Sequence, residues 1–550
     1  MRLLKRILMT WAFPLAGLLA LVWFVLRVLP KPSRATYPCQ RAAFPLASSF
    51  ILWLFGSAAS GAVLRKARGK HARKYYILLA LICVVVAVGA SWLVVSRSGG
   101  PKYVPAEPQL VNEPIGAAKG IFPGRVVWVH DANATDWKGP NNGHPWEDTS
   151  TDQAVVDAMC SLAVRSLTGA DTDVAAWDKL FRHLNKTRGK GDVGYTSGEK
   201  IAIKTNFVGF LFYEGRVSED DYNLVKYQNY MNTSPRLIIA VLRQLVNIVG
   251  VDEADISIGD TVTYMANEYY NIFIQEFPKV RYLDHGGKSG RTKARQSSVP
   301  LYWSCHPEGM LQDYVPVTYA EAEYLINCAN LKSHTGAGVT LCGKNHFGSL
   351  VRWPGQEDYY DLHSSVYSVG MRKYRPQVDL MGHSDIGGKT VLYLIDGLYS
   401  GQHGMDWEPR KWKMAPFNND WTSSVFVSQD PVAIDSVGLD FLQAEWQHYP
   451  HWSGADDYLH EAALADKPPS RTFYDPDHAG DVNRLPSLGV HEHWNNPTDM
   501  QYSRNLGTGE GIELVAVTPN SNLNSAVSIA SGAELNKFTE GPAVAEGTKE

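Results

Sequence analysis

The stretch SPRLIIAVLRQLVNIVG, residues 234–250, has apolar residues at helical spacing. Ser234 stands where a helix N-cap is expected, a proline takes the first helical position, and a glycine ends the pattern. Short apolar runs flank this stretch, at KIAIKTNF (200–207) and DISIGDT (255–261). The order predicts a strand–helix–strand unit with parallel strands.

Similar apolar runs recur outward from this unit, and several are too apolar to have one face in water. They are RVVWVHD (125–131), VRYLDH (280–285), EYLINCANL (323–331), TVLYLIDGLY (390–399) and SSVFVSQD (423–430). Such runs are typical of central strands in a sheet that is covered on both faces. We therefore predict an α/β domain with a mostly parallel sheet and flanking helices.

Composition divides the 550-residue chain into four parts. Residues 1–98 hold three long apolar runs, and residues 99–123 are rich in proline and glycine, as in a linker. Residues 124–515 have the composition of a globular α/β domain. Residues 516–550 are small, polar and aperiodic, which predicts a flexible tail.

The three apolar runs predict a membrane anchor of three transmembrane helices, with the lipid bilayer as a partner. They are residues 7–29, 42–64 and 75–95, and each can cross roughly 30 Å of hydrocarbon. The second run is the weakest, because it contains a proline, several serines and two glycines, although it carries no charge.

Basic residues predict the orientation of this anchor. Lysines and arginines crowd the connection 65–74 and also precede the first run, which places both segments in the cytoplasm. Three spans then make the large domain periplasmic or extracellular, as in a protein of the bacterial inner membrane. If the run 42–64 lies only at the interface, the domain stays in the cytoplasm.

Charge and cysteine spacing narrow the classes of function. The net charge is −4 and the charges are interspersed, so no basic stripe predicts nucleic acid as a partner. The cysteines of the domain contain no C-x-x-C, which disfavours a zinc finger or an iron–sulfur cluster. We expect four free thiols, Cys160, Cys305, Cys328 and Cys342, and one disulfide among them is the alternative.

Polar residues follow several predicted strands, at the place where ligands bind in doubly wound α/β domains. Lys204 and Asn206 follow IAI, Asp260 follows ISIG, and Asp396 follows YLI. These residues are candidates for substrate binding. Asp430 follows VFVSQ, but it also precedes a proline and has an equally simple interpretation as a helix N-cap.

Asp435 lies inside the helix that would start at Asp430, between Ile434 and Val437. A carboxylate turned toward buried structure needs a cation, a metal or a hydrogen-bond donor. Asp435 is therefore a candidate catalytic residue, and a surface position is the alternative.

The stretch NLKSHTGAGVTLCGKNHFGS, residues 330–349, is the densest concentration of possible chemistry. A helix starting near Thr335 would present free backbone N–H groups to an anion. Lys332 and Lys344 would hold a carboxylate or phosphate, Asn345 would contribute an amide, and His334 would carry a proton. The chain lacks the motifs of P-loop, dinucleotide-binding, zinc-protease and serine-hydrolase sites.

A histidine pair in GVHEHWNN is a candidate metal site. His491 and His493 alternate, so both side chains lie on one face of an extended segment. His130 is a candidate third ligand. The alternative is that the pair is solvated in an exposed loop.

The same residues carry a family resemblance. IAIKTN (201–206), LINCANLKSHTGAGVTLCGKNHFG (325–348), LIDGLYSG (394–401) and SQDPVAIDSVGLDFL (428–442) resemble the ordered motifs of the domain of unknown function 362 family. The resemblance covers roughly residues 124–515 and implies no particular activity. Many members carry ferredoxin-like iron–sulfur modules, and the cysteine run of those modules is missing here.

Three hypotheses of function follow. In the first, the protein is an enzyme for acid/base chemistry on a small anionic substrate. The catalytic residues are His334, Lys344, Lys204 and Asp435, and the substrate-binding residues are Asn206, Asp260, Lys332, Thr335, Asn345, Asp396 and Asp430. In the second, a divalent metal on the histidines gives a metal- or redox-linked membrane protein. The third is a binding module without catalysis.

Overall fold

The computed structural model describes residues 18–23, 110–226, 228–334, 336–352, 359–367, 370–402, 406–446, 455–478 and 484–519. The chain forms two compact units, residues 1–103 and 104–550. In the first unit, residues 18–23 are helical, and the predicted spans otherwise lie outside the described residues. Among the described helices, none combines the length and the apolar character that crossing a membrane requires.

The second unit contains fourteen described strands, and each of the seven predicted apolar runs forms one of them. The strands are β1 (Ile115–Gly116), β2 (Arg125–His130), β3 (Ile201–Thr205), β4 (Ile256–Gly259), β5 (Arg281–Asp284), β6 (Thr292–Lys293), β7 (Gln296–Leu301), β8 (Asp313–Pro316), β9 (Tyr324–His334), β10 (Gly338–Thr340), β11 (Thr390–Gly401), β12 (Ser424–Ser428), β13 (Val490–His491) and β14 (Glu513–Val517). β1 falls in the predicted linker and pairs with β13. β14 includes the first residues of the predicted tail.

Helices lie between the strands. They are α1 (Gln153–Thr168), α2 (Asp173–Thr187), α3 (Pro235–Arg243), α4 (Asn267–Glu276), α5 (Val317–Ala320), α6 (Cys342–Asn345), α7 (Leu362–Tyr367), α8 (Pro376–Gly382), α9 (Pro431–Glu445) and α10 (Ala455–Ala463). The predicted helix 234–250 is confirmed: Ser234 caps α3, a π-helical segment extends it, and Gly250 ends it with a left-handed backbone.

The main sheet has the order β14-β2-β12-β11-β9-β3-β4-β5-β6, and β10 forms a hairpin with β9. β12 runs antiparallel to both β11 and β2, while the other neighbours along this order are parallel. The α/β class with flanking helices is confirmed, and the sheet is mixed.

Apolar cores cover both faces of this sheet. On β3, Ile201 and Ile203 pack in one core with Leu237 of α3, and Ala202 packs in another with Leu380 of α8. Side chains of a strand alternate between faces, so Lys204 lies on the α8 face. The sheet therefore forms the middle layer between helices.

The connections diverge between β3 and β9, which are neighbours in the sheet. From β3 the chain passes through α3 to β4 and through α4 to β5, on one side. From β9 it passes through α6, α7 and α8 to β11, on the other side. Ligands of doubly wound sheets bind in the crevice that such a divergence opens at the carboxyl ends of the strands.

Candidate functional site

A buried polar cluster lies at the carboxyl ends of β3 and β4, beside Asn327 in the first half of β9. We define the switch-point cluster as Lys204, Asp260, Asn327, Lys344 and Asn345. The Lys204 ammonium donates hydrogen bonds to Asp260 Oδ2 at 2.9 Å and to Asn345 Oδ1 at 3.2 Å. All five residues are buried. Burial lowers the pKa of Lys204, and the Asp260 carboxylate opposes that shift.

Amide side chains bind α6 to β9 within this cluster. Asn345 Nδ2 donates to Asn327 Oδ1 at 2.8 Å and to the carbonyl of Cys328 at 3.2 Å. Asn327 Nδ2 donates to the carbonyl of Cys342 at 3.0 Å. Asn206 Nδ2 reaches Asn345 Oδ1 at 3.3 Å. The predicted binding residues Asn206, Asp260 and Asn345 are therefore brought together with Lys204.

Lys344 is the member of the cluster that can change its charge near neutral pH. Burial, and then repulsion from the Lys204 ammonium, lower the pKa of Lys344 to about 7, although Asp260 raises it. Lys332 on β9 and His363 on α7 also lie within its electrostatic range. Its Nζ stands 4.0 Å from the centre of the Phe347 ring. It donates no hydrogen bond to any described residue.

Lys332 lies next to the cluster on β9. Its Nζ donates to the carbonyl of Met231 at 2.5 Å and lies 4.8 Å from the Tyr230 ring. Burial lowers the pKa of Lys332 well below its ordinary value; Arg216 and Lys344 add to this shift, and Asp396 opposes it. Lys332 is thus a third buried lysine whose charged form is disfavoured by its surroundings.

Asp396, in the middle of β11, borders a small cavity. Its oxygens accept hydrogen bonds from the N–H groups of Ser234 at 2.5 Å and Leu398 at 2.9 Å. Burial raises the pKa of Asp396 to about 6, although the backbone donors and Lys332 lower it. The cavity is lined by Pro145, Trp146, Asn229, Tyr230, Met231, Asn232, Ser234, Tyr269, Asp396, Tyr399 and Pro409.

Asp435 supports the cluster through the backbone. Its two oxygens accept the N–H groups of Cys342 and Gly343, both at 2.8 Å, and the Tyr458 hydroxyl donates to it at 2.6 Å. A Cβ on Gly343 would stand 2.9 Å from the Tyr458 ring, so glycine is required for this close approach. Asp435 therefore fixes the start of α6, the segment that carries Lys344.

The prediction of a helix starting near Thr335 is wrong. β9 continues to His334, the chain turns, β10 pairs back on it, and the next helix begins at Cys342. Thr335 itself lies outside the described residues. The extended conformation persists because the segment from Lys332 to Thr340 closes a hairpin with its own ladder of backbone hydrogen bonds.

His334 lies in the turn of this hairpin. Its Nδ1 accepts the N–H groups of Gly336 at 2.9 Å and Ala337 at 3.0 Å. Asn327, which pairs with Lys204, is seven residues away along β9, which corresponds to roughly 20 Å of extended chain. The structure does not bring His334 into the switch-point cluster.

Asp430 has the structural position that its proline neighbour indicates. It caps α9 by accepting the N–H groups of Val432 at 3.0 Å and Ala433 at 2.9 Å. It also accepts those of Lys119 at 2.9 Å and Val490 at 3.2 Å. With four backbone donors on its two oxygens, Asp430 ties the first residues of the domain to α9.

The two predicted histidines, His491 and His493, lie close together, and the carboxylate of Asp456 lies beside them. Asp456, His491 and His493 each bring one potential ligand atom to within 4.8 Å of the others. His130 lies elsewhere, with Nδ1 3.1 Å from the carbonyl of Thr422 and its ring against Phe417. Sequence reasoning missed Asp456, because 35 positions separate it from His491 and no short motif contains both.

These elements define a doubly wound α/β protein with a buried polar cluster where the strand connections diverge. Residues 222–440 match the family described as Domain of unknown function (DUF362). This match supports the resemblance that the sequence motifs indicate, over a shorter range than the motifs suggest. The matched range contains Asp260, Lys332, Lys344 and Asp435, while Lys204 and the histidine pair lie outside it. No curated protein and no solved structure matches the chain.

Proposed function

We propose that the switch-point cluster binds a small anion, such as a carboxylate or a phosphate, and that Lys344 exchanges a proton with it. One observation carries this proposal: the ammonium groups of Lys204 and Lys344 are both buried and influence each other, and Asp260 is the carboxylate that faces both. A buried charge without a counter-ion is costly. Asp260 already pairs with Lys204. A bound anion would supply a counter-ion for Lys344.

The charge state of Lys344 supports a role in proton transfer. A general acid or base works best when its pKa lies near the operating pH, and burial places the pKa of Lys344 at about 7. Bound anionic charge favours the protonated amine. Lys344 can therefore attract the anion as an ammonium group and accept a proton as a neutral amine.

The residues around this amine are held by contacts of their own. Lys204 is fixed by its ion pair with Asp260 at 2.9 Å, and Asn345 is fixed by Asn327. Asp435 positions α6 by accepting hydrogen bonds from its first two backbone N–H groups. These contacts leave Lys344 as the proton carrier, in place of His334, whose ring nitrogen stabilises a turn.

The proposal is tested by calorimetric titration of the purified full-length protein with sulfate and with malonate. Both probes are dianions between about pH 7 and 9, so any pH dependence of binding over that interval comes from the protein. We expect Lys344→Met to weaken binding of both probes at least about tenfold. Absence of binding of either probe at millimolar concentration contradicts the proposal.

We further propose that the N-terminal apolar runs anchor the domain to the bacterial inner membrane, with the domain on the outer side. The basic connection 65–74 and the charge-poor runs on both sides of it support this orientation. Protease added to intact spheroplasts should cleave the domain, and it should remain with the membrane fraction after a high-salt wash. Protection in intact spheroplasts would place the domain in the cytoplasm.

A further inference from the structure

We infer that Asp456, His491 and His493 form a site for one divalent transition metal of the zinc type, with a coordination position left for an outside ligand. This site is separate from the switch-point cluster, and the inference does not depend on the anion proposal. We call these three residues the histidine–aspartate triad.

Three buried polar atoms face one another in the triad. They are His491 Nε2, His493 Nε2 and Asp456 Oδ1, and none of them has a hydrogen-bond partner in the described part of the chain. The two histidines are 0% and 2% exposed. Leaving one buried polar atom without a partner costs about 1–3 kcal/mol. A single ion between the three atoms would satisfy all of them together.

Hydrogen bonds on the far side of His491 fix which nitrogen carries its proton. Ser436 Oγ donates its one hydrogen to the carbonyl of Val432 at 2.7 Å. The 2.8 Å contact between Ser436 Oγ and His491 Nδ1 must therefore be donated by the histidine. Neutral His491 then has a bare lone pair on Nε2, which points into the triad.

His493 has the same arrangement, with a carboxylate in place of the serine. Its Nδ1 is in short contact with Asp440 Oδ1, and the other Asp440 oxygen accepts from Trp494 N at 3.0 Å and the Tyr502 hydroxyl at 2.8 Å. Asp440 is therefore a saturated acceptor that orients the imidazole. A carboxylate behind a histidine is the usual outer support of a metal ligand.

An ion pair without metal is the competing explanation. A protonated His493 would lie between Asp440 and Asp456, but its Nε2 is 3.7 Å from Asp456 Oδ1, too long for a hydrogen bond. The ion pair would also leave the lone pair of His491 without a donor. A metal accounts for all three atoms, and the ion pair accounts for one contact.

The donor set selects the class of metal. Two imidazoles and one carboxylate suit zinc and its neighbours at about 2.0–2.2 Å, and three protein ligands are typical of sites with an open position. Magnesium and calcium prefer oxygen ligands alone. Tetrahedral bonds of this length place ligand atoms roughly 3.3 Å apart, so binding should draw the triad together from its present span of 4.8 Å.

The test uses the full-length protein, stripped with a chelator and then dialysed against Zn²⁺ or Co²⁺. We expect one ion per chain by elemental analysis, a Tm that rises with Zn²⁺, and no response to Mg²⁺ or Ca²⁺. Bound Co²⁺ should show visible bands without the strong near-ultraviolet absorption of thiolate ligands, which separates the triad from the free cysteines. The variants His491→Ala and Asp456→Asn should each weaken metal binding at least about 100-fold.

Glu492→Gln is the matched control. Glu492 lies between the two histidines, but it is bonded to Ser503 and Ile512, so this variant removes a buried carboxylate and should keep the ion. Uptake of one ion by His491→Ala and Asp456→Asn, or no uptake by the wild-type chain, overturns the inference. If the variants do not fold, the test uses the wild-type protein alone. A wild-type Tm that neither chelator nor Zn²⁺ changes overturns the inference of a metal site.

Discussion

The Tyr458 hydroxyl donates a 2.6 Å hydrogen bond to Asp435, and this contact joins α10 to the support of the switch-point cluster. Asp435 holds the start of α6, while the next residue of α9, Ser436, holds His491. Asp456 of the triad lies on α10, two positions before Tyr458. The pair of helices α9 and α10 therefore positions both the switch-point cluster and the histidine–aspartate triad.

Substitutions at the two ends of this hydrogen bond should destabilise the domain to different extents. Tyr458→Phe removes one of three donors to Asp435 and should lower the free energy of unfolding by about 1 kcal/mol. Asp435→Asn should cost about 2–3 kcal/mol, because one of two backbone N–H groups then faces an amide donor. Urea unfolding measures both changes, and an Asp435→Asn loss no greater than that of Tyr458→Phe would refute the assigned role of Asp435.

The Lys204 and Asp260 pair should behave as a buried ion pair. Lys204→Met should lower the free energy of unfolding by about 3–5 kcal/mol, because it leaves the Asp260 carboxylate buried without its cation. The double variant Lys204→Met/Asp260→Leu should lose much less than the sum of the two single variants. Additive losses in urea unfolding would show that the two side chains do not interact.

Stability should depend on pH through Lys344. Burial lowers the pKa of this lysine to about 7 in the folded chain, so the unfolded chain binds more protons from about pH 7 up to the ordinary lysine value of about 10.4. The free energy of unfolding therefore rises with pH over that interval, by up to about 1.4 kcal/mol per pH unit from this group. Below pH 7 both states are protonated and the contribution is constant.

Lys344→Met should remove that rise. The free energy of unfolding is measured with urea at about pH 7 and pH 9 for the wild type and the variant. Comparing the pH-dependent changes of the two chains largely cancels the contributions of other titrating groups. Parallel pH profiles for the two chains would show that Lys344 keeps an ordinary pKa in the folded state.

His334→Ala separates the turn role of this histidine from a proton-transfer role. The variant loses the acceptor of two backbone N–H groups and should lower the free energy of unfolding by about 1 kcal/mol. Sulfate binding should change less than about twofold. Loss of sulfate binding in a folded His334→Ala protein would show that this histidine takes part in anion binding.

Local pattern predicted much of the fold. The runs around Ile203, Ile326 and Ile395 are buried on both faces and form strands of the sheet, because continuous apolar sequence has few other stable conformations in water. The antiparallel direction of β12 could not be predicted, since direction depends on the connection and not on the strand's own residues. The hairpin after His334 was missed because its glycines suit a helix entry and a tight turn equally.

The site was predictable where it depends on strand ends. Lys204 and Asp260 meet because the carboxyl ends of neighbouring parallel strands share one edge of the sheet. Asn345 reaches Lys204 from α6. The supporting role of Asp435 and the place of Asp456 depend on how α9 and α10 pack, and no short-range sequence pattern encodes that packing.

The most direct test of the central claim is the sulfate affinity of the full-length protein as a function of pH, measured for the wild type and for Lys344→Arg. Arginine keeps its charge at every pH of the experiment. We predict that wild-type affinity falls up to about tenfold per pH unit above about pH 7, and that Lys344→Arg binds sulfate with little change between pH 6 and 9. Wild-type affinity that is constant over this range, or the same decline in both proteins, would contradict the account.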